Sequence, residues 1–151
     1  MDDFVLVEHA KGAPGLRILG LGPRLIPHKS LDKLIKLFNN NTSWAANRSK
    51  KEVNIMLSKS RVIVSLWKDK ELVGFGRATS DESYRAVLWD IVIDRNYQRE
   101  GLGKKIVQSL LKNPAVSKAE KIYIMTTFCT DFYTQMGFVN SKNQNLMVIQ
   151  Y

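Results

Sequence analysis

The sequence predicts one α/β domain with a mixed, mostly antiparallel sheet flanked by helices. Its 151 residues are the length of an ordinary single domain, and 44% of them are apolar, enough to form a core. Short β-branched runs alternate along the chain with stretches whose apolar residues recur at helical spacing. Two strands are close enough to form a hairpin and helices separate the later ones, so the sheet is predicted to be mixed.

The predicted elements follow from local patterns, taken in chain order. Gly- and Pro-rich loops flank an apolar run at 16–21, which is predicted as the first strand. Ser30 is a good N-cap residue for a first helix that ends at 39–41, and a second helix is predicted around 53–57. The remaining predicted strands are 61–67, 71–78, 86–93, 121–125 and 146–149, and the remaining predicted helices are 106–111 and 130–136.

The composition favours anionic partners and a reducing compartment. The net charge is +9, but the basic residues are spread along the chain without a nucleic-acid motif, so nucleic acid is not an expected partner. The single cysteine, Cys129, excludes an internal disulfide. The chain shows neither an apolar run of about 18 residues nor a signal peptide. We therefore expect no membrane association, and a bacterial-type cytoplasm or the plastid stroma as the location.

The most informative segment follows the predicted strand 86–93 and opens the next helix. A helix start presents unpaired backbone N–H groups and a partial positive charge, and glycines let the main chain approach a pyrophosphate closely. The alternative is a helix start whose two glycines serve packing, and an isolated Gly-x-Gly pattern favours that alternative. The segment consists of Gln98, Arg99, Glu100, Gly101, Leu102, Gly103 and Lys104.

Three motifs resemble those of the GNAT superfamily of N-acetyltransferases. The Gln-x-x-Gly-x-Gly pattern at 98–103 resembles its coenzyme A signature, and the run 88–94 is similar to its central strand. The run 132–138, Phe-Tyr-Thr-Gln-Met-Gly-Phe, resembles its second signature. All three occur in the family's order and spacing, so the combination is more specific than any one motif.

Within the superfamily, the chain looks most like the plastid and cyanobacterial group that includes plant serotonin N-acetyltransferase. The segments 74–81 and 88–90 carry this likeness. The resemblance implies a single GNAT domain over 1–151, with 1–15 as an optional N-terminal extension. It also implies acetyl-CoA as the co-substrate.

Most of the implied cofactor contacts use the main chain. Ile91, Val92 and Ile93 would line the pantetheine arm as an added strand pairs with a sheet edge, and 98–104 would bind the pyrophosphate. An N–H group near Val92 would also stabilise the negative charge that develops on the thioester oxygen. Thr126 stands where many members carry Asn or Asp. Its hydroxyl can cap a helix or bind the cofactor but cannot act as a base.

Two side chains are candidate catalytic residues. By resemblance, Tyr133 would donate a proton to the leaving thiolate, since a phenol with a pKa near about 10 is protonated at neutral pH; the alternative is a core tyrosine. Asp90 is a candidate general base whose pKa would be raised by apolar neighbours, and a structural carboxylate is the equal alternative. Strand alternation places Trp89 and Ile91 opposite Asp90, unless a bulge intervenes.

A few further residues are assigned by context. His9 and His28 are predicted to face solvent, and no metal is expected, because no ligand spacing surrounds them. Cys129 lacks an activating partner and is interpreted as a packing residue. Trp44, Trp67 and Trp89 are predicted to be mostly core. Trp44 follows a helix in a loop, so lining the acceptor pocket is the alternative for that residue.

The acceptor is predicted to be a primary amine that attacks directly in a ternary complex. The resemblance favours a small arylalkylamine such as serotonin or tryptamine. Acetylation of protein lysines or N-termini, and a regulator that binds acetyl-CoA without turnover, stay open as alternatives. The basic net charge argues against a basic peptide as acceptor. The family includes monomers and homodimers, and the sequence does not distinguish them.

Overall fold

The computed structural model describes residues 3–151 and contains a five-stranded sheet with helices on both faces. The strands are β1 Phe4–His9, β2 Val62–Lys68, β3 Glu71–Ser80, β4 Arg85–Ile93 and β5 Lys121–Ile124. The α-helices are α1 Pro14–Leu19, α2 Ser30–Asn41, α3 Lys50–Ser58, α4 Leu102–Lys112, α5 Pro114–Ser117 and α6 Thr130–Gln135. Short 3₁₀ turns occur at Pro23–Leu25 and Arg95–Tyr97. None of the helices within this described range is long and apolar enough to cross a membrane.

The strands lie in the sheet in their order along the chain, from β1 to β5. Neighbours from β1 to β4 are antiparallel, and β4 and β5 are parallel because α4 and α5 connect them. The β2–β3 pair is a hairpin that turns at Asp69, in the left-handed region with φ +52°. The predicted α/β class and mixed, mostly antiparallel sheet are confirmed.

Two apolar clusters cover the two faces of the sheet. On one face α1, α2 and α3 pack against side chains such as Trp67 and Phe75. On the other face α4 and α5 pack against side chains such as Val64 and Leu88. The close approach of α4 requires a glycine on β3, because a Cβ at Gly76 would lie 2.6 Å from Cγ2 of Ile106.

The N-terminal region differs from its prediction. The run 16–21 is not a strand; it belongs largely to α1, which begins with Pro14 at a first-turn position and ends at Gly20 with φ +65°. Proline and glycine are found at helix ends as well as in loops, so their loop-like spacing misled the prediction. The first strand is instead Phe4–His9, which pairs with β2. The segment interpreted as an optional extension therefore contributes an edge strand.

The C-terminal prediction is also wrong, because 146–149 forms no strand. Its side chains are 71–88% exposed. The β-branched and apolar residues there have strand propensity, but a strand requires a neighbouring ladder, and β5 has only four residues. The other predicted helices and strands are confirmed, with boundary shifts of a few residues. Ser30 is not an N-cap, however: it is the first residue of α2 and follows the N-cap residue Lys29, and its hydroxyl donates to the carbonyl oxygen of Gly20.

Candidate active site

The second half of β4 separates from β5 and leaves a gap at this edge. The two strands pair only from Arg85 to Leu88 of β4, opposite Lys121 to Ile124. Beyond Leu88, β4 continues to Ile93 without β5 beside it. The predicted pantetheine residues Ile91, Val92 and Ile93 occupy this free stretch.

A bulge in β4 lies where the two strands diverge. Arg77 of β3 pairs with Trp89 and Phe75 pairs with Val92, so β4 has one more residue than β3 between these pairs. Within the bulge, Asp90 is in the left-handed region with φ +53°.

The bulge changes which side chains share a face. Asp90 and the Trp89 ring both contact Arg77, so Trp89 lies on the same face as Asp90. Ile91 joins the apolar cluster under α4, on the opposite face. The predicted alternation is therefore correct for Ile91 and wrong for Trp89.

The turn before α4 exposes backbone donors. Gly101 is the N-cap residue in the left-handed region, φ +77°, and no side chain caps the helix. The first turn leaves the N–H groups of Leu102, Gly103 and Lys104 without intrahelical partners. A Cβ at Gly101 would meet no atom within 4 Å, so the space in front of the turn is open. The side chains of Arg99, Glu100 and Lys104 are exposed and that of Leu102 is buried.

Contacts join the three motifs at one place. A Cβ on Gly103 would lie 3.4 Å from the Phe132 ring and 3.8 Å from Cγ1 of Ile93. The side-chain amide of Gln98 donates to the carbonyl oxygen of Ile93 at 3.1 Å. The end of β4, the start of α4 and α6 therefore meet around Gly103.

Tyr133 is buried on α6 next to this junction. Its ring packs edge-on against Phe132 and Phe138, with centroid distances of 4.9 and 5.8 Å. Burial raises the pKa of Tyr133 to about 12, so the phenol is protonated at neutral pH.

The segment that leads into α6 is held by Thr126. The Thr126 hydroxyl accepts a hydrogen bond from the backbone N–H of Cys129 at 3.0 Å. Cys129 is the N-cap residue of α6, and its side chain is exposed. The interpretation of Cys129 as a packing residue is therefore wrong. The Thr126 hydroxyl thus stabilises the turn before α6, but no side chain caps this helix, so the predicted role of Thr126 as a helix cap is wrong.

Asp90 is bound by two arginines. The Asp90 carboxylate accepts from Nε of Arg77 at 2.8 Å, and Arg48 contacts both of its oxygens at 3.1 and 3.2 Å. Burial raises the pKa of Asp90, but the hydrogen bonds and charges of Arg48 and Arg77 outweigh burial, so the pKa is lowered. The predicted increase in the pKa of Asp90 is wrong. The sequence does not reveal that Arg48, 42 residues away, contacts this carboxylate.

The two histidines are also placed differently from the prediction. His9 is half-buried and forms a 2.7 Å hydrogen bond with the Ser65 hydroxyl, which also accepts from Trp67. Burial lowers the pKa of His9 to about 4. His28 is half-buried against the Trp67 ring, at a centroid distance of 5.6 Å. Trp44 is 61% exposed in the segment between α2 and α3, so its prediction as a core residue is wrong, whereas Trp67 is buried as predicted.

Comparison with known proteins agrees with this geometry. Residues 31–138 match the Acetyltransferase (GNAT) family, which covers most of the chain. The protein therefore belongs to the GNAT family of acetyltransferases. Members of this family use acetyl-CoA as co-substrate.

Relatives carry N-acetyltransferase names, which identify the protein as an N-acetyltransferase. A protein from Gracilaria tenuistipitata var. liui, named uncharacterized N-acetyltransferase ycf52, is 33% identical over 150 residues; the alignment covers 94% of this chain and 79% of that protein. GCN5-related N-acetyltransferase 2, chloroplastic, from Arabidopsis thaliana is 37% identical over 71 residues, 46% of this chain and 28% of that protein. A Glycine max protein named histone acetyltransferase TAP1 is 34% identical over 70 residues, 46% of this chain and 30% of that protein.

A solved structure shows the same fold. The GNAT-family acetyltransferase from Streptococcus pneumoniae superposes with a TM-score of 0.71 at 17% identity. The superposition covers 97% of this chain and 98% of that chain.

Proposed function

We propose that the protein transfers an acetyl group from acetyl-CoA to a primary amine by direct attack in a ternary complex. The observation that carries this proposal is the junction of Ile93, Gly103 and Phe132, which joins the three motifs beside the gap between β4 and β5. Acetyl-CoA supplies the activated acetyl group as a thioester.

The main chain provides the proposed cofactor contacts. The free edge of β4 at 91–93 offers backbone groups to the pantetheine arm. The turn 98–104 offers N–H donors and the partial positive end of α4 to the pyrophosphate, in the open space before Gly101. Arg99 and Lys104 are exposed there and add positive charge. An N–H group near Val92 is the proposed donor to the thioester oxygen.

Tyr133 is the proposed general acid. Its raised pKa keeps the hydroxyl protonated, and it lies beside the junction of the motifs. The amine attacks as the neutral free base, and a protonated phenol can donate to sulfur as the C–S bond breaks and the thiolate leaves. The proton that the amine nitrogen loses on forming the amide passes to solvent, and solvent returns a proton to the phenolate. Thr126 contributes indirectly in this proposal, because its hydroxyl stabilises the turn that leads into α6.

The proposed acceptor is a small arylalkylamine. The segment between α2 and α3 contains Arg48, which contacts the β4 bulge, and also the exposed Trp44, which we propose as the aromatic side chain that contacts the acceptor. The likeness of 74–81 to the plastid and cyanobacterial group supports the same choice. The chloroplastic relative supports a plastid location, and a bacterial-type cytoplasm is the second candidate location.

A protein lysine acceptor is the second candidate. One relative is named a histone acetyltransferase, although the match covers 46% of this chain. The net charge of +9 disfavours a basic peptide, so a small amine is the first choice.

A thiol-release assay with acetyl-CoA tests the proposal. The panel contains serotonin, tryptamine, tyramine, a polyamine and a lysine peptide, each with and without the protein. We expect fast thiol release with an aromatic amine and little with the peptide. Release with the peptide alone would replace the first candidate by the second. Absence of release and of acetyl-CoA binding would overturn the proposed function.

A further inference from the structure

The residue in the β4 bulge has a backbone conformation that needs support. Asp90 has φ +53°, a region that residues with a Cβ adopt at a cost and usually where the surroundings enforce it. Its position matters, because the free stretch of β4 that we propose for the cofactor begins directly after it. A change at residue 90 would therefore redirect the backbone of Ile91 and Val92.

The surroundings of Asp90 can enforce this conformation. The side chain of Asp90 is only 5% exposed, and both of its oxygens are bound by guanidinium groups. Arg77 comes from β3, and Arg48 comes from the segment between α2 and α3. The carboxylate thus connects three separate parts of the chain.

Each guanidinium is itself held in place. Arg77 contacts the Ser60 hydroxyl at 3.3 Å, and its Cζ lies 5.6 Å from the centroid of the Trp89 ring. The Cζ atom of Arg48 lies 5.5 Å from the centroid of the Phe38 ring. Planar guanidiniums fixed by stacking and by charged hydrogen bonds give a carboxylate a defined orientation.

We propose that Arg48, Asp90 and Arg77 form a clamp that holds the β4 bulge in its left-handed conformation, with the two arginines acting as positioning residues for acetyl transfer. This inference rests on the proposed function. It makes Asp90 an anchor instead of a general base, because both carboxylate oxygens are already occupied by arginines. The clamp also connects the segment between α2 and α3, which contains Trp44, to the stretch of β4 backbone that we propose for the thioester.

Asp90→Gly and Asp90→Ala distinguish an anchor from a base. Both variants lack the carboxylate, but glycine adopts φ +53° without steric cost, whereas the Cβ of alanine makes this conformation unfavourable. The clamp predicts that kcat of Asp90→Gly exceeds that of Asp90→Ala by about tenfold, with acetyl-CoA affinity within about threefold in both. Equal loss of kcat in the two variants, as a base would give, overturns the clamp.

The arginines are tested in the same assay. Arg77→Met and Arg48→Met are expected to lower kcat by about tenfold while acetyl-CoA affinity changes by less than about threefold. Arg85→Gln is the matched control, because Arg85 lies on the same strand in an exposed pair with Glu120 and is expected to keep normal kcat. Unchanged kcat in both methionine variants overturns the positioning role.

Thermal unfolding separates failure of the clamp from failure of the proposed function. In the ligand-free protein, Asp90→Gly should unfold at a higher temperature than Asp90→Ala. The same pair of substitutions at Arg85, which does not have a positive φ, should show the reverse order. If the wild-type protein transfers no acetyl group but these orders hold, the left-handed conformation that the clamp requires is present and the proposed function fails. If Asp90→Gly is not the more stable variant, the clamp fails whatever the activity.

Discussion

The face of the sheet under α4 and the face under α2 and α3 hold their polar groups in different ways. On the α4 face the buried side chains are almost all apolar, and the candidate cofactor site is made of main chain around Gly101. On the other face side chains form buried or half-buried networks, around Asp90 and around Ser65. One face therefore depends on close backbone approach, and the other on side-chain partners far apart in the chain.

The largest expected effect on catalysis comes from Tyr133, which packs on the α4 face. Tyr133→Phe removes one hydroxyl and keeps the ring packing with Phe132 and Phe138. We expect kcat to fall by about ten- to a thousand-fold, with acetyl-CoA affinity unchanged, because a general acid is lost. Steady-state kinetics and calorimetry measure the two quantities.

Tyr123→Phe is the matched control for that variant. The Tyr123 hydroxyl bonds Gln144 on the exposed outer side of β5, and its loss should leave kcat within about twofold. Normal turnover by Tyr133→Phe would remove Tyr133 from the mechanism and leave it as a core residue.

The next effect tests the close packing of α4. Gly76→Ala places a Cβ 2.6 Å from Cγ2 of Ile106. Overpacking of this kind costs about 2–3 kcal/mol of unfolding free energy, which urea denaturation measures. Combining Gly76→Ala with Ile106→Ala should cost less than the sum of the two single changes, because the second removes the clashing methyl group. If the free-energy costs of the two single substitutions simply add in the double variant, the close approach of α4 to β3 at Gly76 is contradicted.

A smaller effect, on pH dependence, tests the opposite face. The folded-state pKa of His9 is lowered to about 4 from 6.5, so the unfolded chain takes up the proton first as the pH falls. His9 therefore contributes stability that is present above pH 6.5 and lost toward pH 4, about 2 kcal/mol between pH 7.5 and 5. His9→Gln should flatten this part of the stability profile in urea denaturation. An unchanged profile would show that His9 is not buried as a neutral side chain.

The same contrast explains which parts could be predicted from the sequence. The turn 98–104 and the pair Phe132–Tyr133 form contiguous motifs, and the functions that we propose for them use the main chain or one side chain. The clamp was not predicted because Arg48 and Asp90 are 42 residues apart, and neither has a local pattern. The bulge places the side chains of Trp89 and Asp90 on the same face of the sheet. It depends on how β4 pairs with β3, and strand alternation does not reveal that pairing.

The ends of the chain show a second limit of local patterns. The segments 16–21 and 146–149 have similar apolar composition and were both predicted as strands. The first is largely helical because Pro14 and Gly20 delimit a helix, and the second remains exposed without a strand partner. Strand formation depends on a neighbouring ladder, whereas α2 and α4 could be predicted from the helical spacing of their own apolar residues.

Calorimetric titration of acetyl-CoA into the wild-type protein, Gly101→Ala and Gly101→Glu tests the central claim most directly. Both substitutions add a Cβ to a residue with φ +77° and therefore strain the backbone. Only glutamate also puts bulk and negative charge into the open space before the turn. We expect one molecule bound per chain in the wild type, a loss of affinity below about tenfold for alanine, and a loss above about a hundredfold for glutamate. Equal affinity for all three proteins would contradict the assignment of 98–104 as the pyrophosphate site.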